Sequence, residues 1–251
     1  MKEHSKTEFL KGDFDYLHKW QYGKSIASPN SPIGQIGPGI RGGTLGSSDN
    51  ILFEEMQLLV LGDVVPLNYY ISEQNFLNQI EQYKDKWTDL PGKLQVPRKA
   101  LLLTGLKTDT YTDNGTHLNH KAQEINDYGL SELEFKYPTK LYNDLTCLTS
   151  LMDYFSPLGR SFLLKLDAGG GFPPHRDYPE IPREVFSIFL FFGKPVKWFI
   201  DNKKVDIELG RLYYINTRKL HETVCNEDSS FHVCLRVPQT MENIYKLMNM
   251  L

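Results

Sequence analysis

Cysteine is scarce in this chain of 251 residues, with only Cys147, Cys225 and Cys234 present. No Cys-x-x-Cys spacing occurs, so the pattern is typical neither of a disulfide framework nor of a zinc ribbon. Cys225 and Cys234 flank a predicted turn and could pair across a hairpin. Buried free thiols are the preferred interpretation of all three residues.

The chain also lacks an excess of charge, since 28 basic residues face 31 acidic ones and the net charge is −3. This balance gives no electrostatic basis for binding nucleic acid or an anionic membrane. The first twenty residues contain no apolar core of a signal peptide. The longest apolar run, at 185–192, is too short to span a bilayer. We therefore expect a cytoplasmic protein with no nucleic-acid or membrane partner, whereas the oligomeric state is not indicated.

The composition that is present favours a packed β protein. Hydrophobic residues make up 40% of the chain, charged residues 24%, and 14 Tyr and 14 Phe are included. Residues 27–49 are rich in Gly, Pro and Ser and predict an extended arm. We divide the chain into a loop-rich N-terminal arm at 1–70, packing on the core, and a main domain at 71–251 with helical support.

Helices are predicted mainly before residue 160. Apolar residues at helical spacing after a Ser72 cap predict a helix over 72–87, and a second helix is expected over 143–155. Residues 51–62 fit either a strand or a short helix. The apolar run at 100–106 predicts a buried strand, and the polar stretch at 107–126 predicts a loop.

After Arg160 the pattern changes to eight short β segments separated by Gly, Asn, Asp or Pro. They are SFLLKL, GGGFPPHRD, VFSIFLFF, KWFID, NKKVDIEL, GRLYYIN, HETVCN and FHVCLRV. Regular short strands with turn residues between them predict an antiparallel sandwich or barrel. The expected fold class is therefore mainly β with flanking helices.

The segment FPPHRD contains the first candidate metal ligands. In a strand, residues two apart point to the same side, so His175 and Asp177 can present an imidazole and a carboxylate to one point. Pro173 and Pro174 stiffen the approach, and the glycine triplet before them allows a bend. His221, at the start of a later strand, supplies a third ligand. Two histidines and one carboxylate are the ligand set of non-haem Fe(II) oxygenases.

A chance occurrence is the competing interpretation, because His-x-Asp triplets are common and a lone histidine is usually a surface or core residue. Three features favour a site: the triplet follows a Gly/Pro turn, the second histidine begins its own strand, and a basic residue lies on the next strand. The segment FHVCLRV places His232, Cys234 and Arg236 on one face. The planar guanidinium of Arg236 suits the far carboxylate of a cosubstrate such as 2-oxoglutarate. The alternative is an arginine at the rim of the barrel that forms a surface ion pair. His232 is a poorer partner for this carboxylate, because histidine is charged only when its pKa is raised.

These motifs make the sequence from 163 to 237 resemble the Fe(II)- and 2-oxoglutarate-dependent oxygenases. The similarity is greatest to the aspartyl/asparaginyl β-hydroxylase-like branch that includes proline hydroxylases. The residues that carry it are PPHRD at 173–177, GRLYYIN at 210–216 and HETVCN at 221–226, with a weaker match in PRKALLLTGL at 97–106.

The resemblance implies a double-stranded β-helix, the jelly roll also found in cupins. It implies Fe(II) held by His175, Asp177 and His221, and hydroxylation by O₂ coupled to conversion of 2-oxoglutarate into succinate and CO₂, with ascorbate as a stimulant. One departure is that His232 stands where the branch has its cosubstrate arginine. We assign that role to Arg236, with His232 assisting it or facing the substrate.

The retained Asp177 favours hydroxylation over halogenation, because halogenating relatives replace this carboxylate with a small residue. The expected substrate is an amino acid, free or within a peptide or protein. Arg183 and Arg218 are candidate substrate contacts, with simple surface solvation as the alternative for both. Another function would keep the scaffold without oxygen chemistry: a cupin-like metal- or small-molecule-binding protein or a non-redox metal enzyme. A structural β domain with a coincidental HRD triplet is the third possibility.

Overall fold

The structure is a computed structural model that describes residues 48–90, 97–107, 111–112, 118–127, 129–177 and 184–251. The described helices are α1 (Ser48–Leu61), α2 (Glu73–Ile80), α3 (Leu118–Glu124), α4 (Lys140–Asp144), α5 (Thr149–Tyr154) and α6 (Met241–Met248). Short 3₁₀ turns occur at Glu81–Tyr83 and Glu132–Glu134. Most of the predicted arm, up to residue 47, lies outside the described residues.

Thirteen strands are found in the described ranges. They are β1 (Val64–Tyr70), β2 (Thr88–Asp89), β3 (Arg98–Leu102), β4 (Thr104–Gly105), β5 (Tyr137–Pro138), β6 (Phe162–Leu166), β7 (Gly171–His175), β8 (Val185–Gly193), β9 (Lys197–Ile200), β10 (Lys203–Val205), β11 (Arg211–Ile215), β12 (His221–Val224) and β13 (Ser230–Pro238). A seven-stranded sheet has the order β1-β11-β8-β13-β6-β3-β2, and a four-stranded sheet has the order β10-β9-β12-β7.

The last eight strands form a double-stranded β-helix. In chain order, β6 to β13 alternate between the large and small sheets, except that β9 and β10 form a hairpin within the small one. The hairpin turn uses Asp201 and Asn202, both at positive φ, as two-residue turns between antiparallel strands require. All eight β segments expected from the sequence are present, and the jelly-roll fold class is confirmed.

The large sheet has a core on each face. Its outer face packs against α1, α2, α5 and α6 through an apolar cluster that includes Leu190, Phe192, Leu235 and the stacked Phe76. Its inner face carries Phe189 and Phe191, which form a second cluster with Trp198 of the small sheet. Burial on both sides explains why the sequence of β8 is almost entirely apolar.

The local sequence pattern was sufficient for the start of α2 and for the buried strand near residue 100. Ser72 caps α2 as predicted, since its Oγ accepts from the backbone N–H of Asn75, but the helical stretch ends at Tyr83 rather than at 87. The strand expected at 100–106 is divided into β3 and β4 and begins at Arg98. The ambiguous 51–62 segment is helical within α1.

Two expectations need correction. The loop predicted over 107–126 contains α3, because Leu118 and Ala122, four residues apart, pack on a small separate cluster with Leu130 and Phe135. The helix predicted over 143–155 is confined to 149–154, and a distinct helix capped by Thr139 precedes it. Among the described helices, none has the length and apolar character needed to cross a membrane.

Candidate metal centre

Pairing of β7 with β12 brings two histidines together. His175, the last residue of β7, lies directly opposite His221, the first residue of β12, and their ring centroids are 4.2 Å apart. Asp177 follows two residues later, where its backbone N–H donates to the carbonyl of Thr217 at 2.9 Å. Ligand atoms of His175, Asp177 and His221 all lie within 4.8 Å of one another. The three residues singled out in the sequence therefore converge.

Both imidazoles are oriented by their Nδ1 atoms. Nδ1 of His175 lies 2.8 Å from the carbonyl oxygen of Pro173, and Nδ1 of His221 lies 3.0 Å from that of Lys219. A carbonyl oxygen can only accept, so each Nδ1 carries the proton and each Nε2 is left as the ligand atom. Metal-binding histidines characteristically have their second nitrogen held in this way.

Aromatic rings fix the planes of the two imidazoles. The Trp198 side chain on β9 is parallel to the His221 ring, with centroids 5.7 Å apart and an interplanar angle of 5°. On the other side, Phe172 lies 5.7 Å from the His175 ring. The ligand pair is thus enclosed between two aromatic side chains, which restrict the rotation of both imidazoles.

A charged pair connects Asp177 to the large sheet. Nη2 of Arg236 on β13 donates to Oδ2 of Asp177 at 3.1 Å. Nη1 of the same guanidinium donates to the hydroxyl of Ser187 on β8. The other carboxylate oxygen, Oδ1, faces Nε2 of His175 at 3.5 Å. Arg236 therefore holds one oxygen of Asp177 while the other faces His175.

The surroundings shift the pKa values of the three residues in different directions. Burial opposes ionisation of Asp177, but the Arg236 charge and the His175 hydrogen bond outweigh it, and the pKa of the carboxyl is lowered. Burial also disfavours protonated His175, yet contact with Asp177 raises its pKa overall. For His221 burial dominates and lowers the pKa. At neutral pH the cluster supplies a carboxylate and a neutral His221.

These three residues fit a divalent transition metal. Two Nε2 atoms and one carboxylate oxygen are suitable ligands for Fe(II), Mn(II) or Zn(II), and such a facial set is characteristic of non-haem iron sites. The side chains of His175 and Asp177 are 35% and 23% exposed, whereas His221 is buried. Solvent can therefore reach the cluster from the His175 side.

The structure distinguishes the other candidate residues. His232 faces the interior, 1% exposed, between Phe191 and Trp198, and burial lowers its pKa to about 3. Arg218 lies in the turn before β12, next to Thr217, and its backbone N–H donates to the Asn216 side chain. Arg183 lies outside the described residues. Tyr213 belongs to the inner cluster and Tyr214 to the outer one, as alternation predicts.

Sequence reasoning missed two polar residues of the interior. Ser187 is the polar residue inside the apolar strand β8, and it lies opposite Arg236 in the register. Arg98 begins β3 on the same face as Ala100 and Leu102, which belong to the inner cluster. In both cases the available signal was a polar residue two positions from apolar residues of the same strand that face inward.

The glycine triplet at 169–171, which ends at the first residue of β7, permits two close backbone contacts. A Cβ on Gly170 would lie 2.4 Å from the carbonyl oxygen of Pro97, and one on Gly171 would lie 2.2 Å from that of Thr223. Gly171 also has φ of +147°, which disfavours other residues. The triplet therefore lets the start of β7 approach both β3 and β12 closely.

No protein-family model matches this chain, and no curated protein sequence matches it. Among solved structures, similar chains include a 2OG-Fe(II) oxygenase family oxidoreductase from Burkholderia pseudomallei, at 11% identity and TM-score 0.40, covering 75% of this chain and 90% of that one. A Pseudomonas putida prolyl-4-hydroxylase is similar at 10% identity and TM-score 0.40, over 74% and 99% of the two chains. The ribosomal oxygenase YcfD from Escherichia coli is 21% identical over 39% of this chain and 28% of its own, with TM-score 0.27.

Proposed function

We propose that this protein is an Fe(II)- and 2-oxoglutarate-dependent dioxygenase that hydroxylates an unactivated C–H bond of an amino acid, free or in a peptide or protein. The observation that carries the proposal is the convergence of His175, Asp177 and His221, with both Nδ1 atoms held by backbone carbonyls. A bound iron would supply activation of O₂, with 2-oxoglutarate as the electron donor that leaves as succinate and CO₂. A cytoplasmic location belongs to the same proposal.

In this proposal the chain's residues have separate tasks. His175, Asp177 and His221 hold the metal, while Trp198 and Phe172 keep the imidazoles in place. Arg236, next to Ser187, is the proposed contact for the cosubstrate carboxylate. His232 is neutral at physiological pH because its pKa is about 3. In this proposal it therefore offers the cosubstrate or the substrate a hydrogen bond rather than a charge.

The substrate side of the proposal rests on position and charge. Arg218 lies in the turn whose carbonyl at Thr217 holds the backbone of Asp177, and we propose that it contacts an anionic or polar substrate at the rim. Arg183 is proposed for the same role from its place in the sequence alone. Because Asp177 occupies the third ligand position, the proposed reaction is hydroxylation rather than halogenation.

The test begins with binding and then measures turnover. Under anaerobic conditions with Mn(II), calorimetry should detect binding of 2-oxoglutarate. With Fe(II), ascorbate and O₂, the protein should form succinate, faster when an amino acid or peptide that is a substrate is added. His175→Ala should abolish both signals. Glu222→Gln, beside His221 but on the opposite side of β12, is the matched control and should retain both.

A second candidate function is a cupin-like metal-binding protein or non-redox metal enzyme. It is favoured by the engagement of Arg236, whose guanidinium already binds Asp177 and Ser187. Stoichiometric metal binding without any binding of 2-oxoglutarate would support this alternative and contradict the oxygenase.

A further inference from the structure

The start of β3 places a buried arginine inside the β-helix. Arg98 is 8% exposed and lies opposite Leu166 in the register with β6. Its neighbours two and four residues on, Ala100 and Leu102, belong to the inner cluster, so the Arg98 side chain enters the space between the two sheets.

The hydrogen bonds of the Arg98 guanidinium are poorly satisfied. Nη1 donates to the carbonyl of Gly171 over a long 3.4 Å, and Nε is buried with no hydrogen-bond partner in the described part of the chain. No carboxylate of the described residues lies within 4.0 Å of the guanidinium. Burial of a guanidinium without a counter-ion is costly, and buried charges are normally paired. The side chain is therefore equipped to bind an anion.

The guanidinium shares an aromatic neighbour with the candidate metal centre. Cζ of Arg98 lies 4.7 Å from the centroid of the Phe172 ring, and that ring lies 5.7 Å from the ring of His175. Arg98 and the first metal ligand therefore contact the same aromatic side chain. The close contact between Pro97 and Gly170 sets this placement, since any side chain at 170 would push β3 away from β7.

Two other inward-facing basic residues are less suited to bind an anion. His232 is uncharged at neutral pH, and Arg236 already neutralises Asp177. We propose that Arg98 binds a carboxylate group of an organic acid that reaches the metal centre, through the planar fork that guanidinium offers to carboxylates. This inference rests on the proposed function and adds a residue to it. The carboxylate is either the far end of 2-oxoglutarate, in which case Arg98 takes the role proposed above for Arg236, or that of an amino-acid substrate, in which case Arg236 keeps that role.

The first arm of the test measures binding of 2-oxoglutarate to anaerobic Mn(II)-loaded protein by calorimetry. If Arg98 holds the cosubstrate, Arg98→Met should weaken this binding at least about tenfold, as expected for loss of a charged hydrogen bond. The affinity of Arg98→Lys for 2-oxoglutarate should be intermediate, because lysine keeps the charge but lacks the planar pair of N–H donors of a guanidinium. Lys99→Met, the adjacent change on the opposite side of β3, should leave the affinity unchanged. Mn(II) affinity should be the same in all four proteins.

The second arm measures melting temperatures of the Mn(II)- and 2-oxoglutarate-saturated proteins with each proteinogenic amino acid in turn. If the carboxylate belongs to the substrate, 2-oxoglutarate affinity is unchanged in Arg98→Met, and the amino acid that raises the melting temperature of the wild type no longer does so. If neither 2-oxoglutarate affinity nor any amino-acid shift differs between Arg98→Met and the wild type, the proposal is wrong.

Two further outcomes distinguish a ligand-binding Arg98 from a structural one. Without ligand, Arg98→Met should melt no lower than the wild type, because it removes an uncompensated buried charge. A fall of more than about 5 °C would identify a structural residue and overturn the proposal. If the wild type itself binds no 2-oxoglutarate with Mn(II), the oxygenase function fails, whatever the variants do.

Discussion

The two faces of β13 differ sharply, although they belong to one strand at the centre of the large sheet. The outward side chains, Phe231, Val233, Leu235 and Val237, all belong to the outer apolar cluster. The inward ones are His232, Cys234 and Arg236, which are equally buried but polar or ionisable. Burial is the same on both faces, so burial alone does not distinguish a packing face from a functional one. The difference is that the inner face is directed at the candidate metal centre, where Arg236 contacts Asp177.

The neighbouring strand β8 repeats this division. Phe186, Ile188, Leu190 and Phe192 face the outer cluster, while Ser187 lies on the inner face and accepts a hydrogen bond from Arg236. Polar residues at the Asp177 end of the interior therefore form a connected group, whereas Phe189 and Phe191 fill the interior further along β8. Changes on the outer face should affect stability alone, and changes on the inner face should also affect the metal centre.

The largest expected effect is on the outer face. Leu235→Ala removes a fully buried side chain next to Arg236 in sequence, and it should lower the free energy of unfolding by about 3 kcal/mol through lost burial and a cavity. Urea denaturation measures this change. Mn(II) affinity of the folded variant should equal that of the wild type, and a weakening of more than about threefold would show that the two faces are coupled.

Next in size is the Asp177–Arg236 pair. Asp177→Ala removes the carboxylate that neutralises a buried guanidinium, and it should cost about 2 kcal/mol of stability, less than for a fully buried pair because Asp177 is partly exposed. It should also abolish Mn(II) binding. Adding Arg236→Met should restore most of the stability without restoring metal binding. A double variant as unstable as the single one would contradict the assigned role of the pair.

A comparable effect is expected from pH. The pKa of His232 falls from 6.5 in the unfolded chain to about 3 in the folded protein, so the unfolded state binds more protons between these values. Stability should therefore fall as pH drops below 6.5, by up to about 1.4 kcal/mol per pH unit from this residue. His232→Gln should remove that part of the slope. Urea titrations of metal-free wild type and variant at pH 7.5, 7, 6 and 5 measure the two pH dependences, which should differ only below about pH 6.5.

The smallest expected effect is that of Ser187→Ala. Arg236 would lose one hydrogen-bond acceptor while keeping Asp177, so the free energy of unfolding should fall by about 1 kcal/mol. Thermal or urea denaturation measures this change. Ser187→Ala should still bind Mn(II), whereas Asp177→Ala should not. A Ser187→Ala protein that no longer binds Mn(II) would mean that Arg236 cannot hold Asp177 in place without Ser187.

Local sequence was sufficient for the elements that carry the candidate site. The alternation and turn residues after 160 predicted all eight strands of the β-helix, and the HRD triplet with His221 predicted the three residues that converge at the candidate metal centre. Local sequence was insufficient for α3, because a helix with only two apolar residues has a weak hydrophobic periodicity. The division of the chain at residue 70 and the substrate remain predictions. So do the metal and cosubstrate roles of the site residues and the roles of Arg183 and Arg218.

The sequence by itself determined which side chains share a face of a strand, because alternation in a strand is a property of the backbone. It therefore determined that His175 and Asp177 point the same way, and that Arg236 and His232 do. Only the tertiary structure decided which faces meet across the two sheets. It placed Arg236 against Asp177 and left Arg98 beside Phe172 without a described counter-ion. Such contacts depend on strand order and register between segments that are far apart in the chain, and no local pattern encodes them.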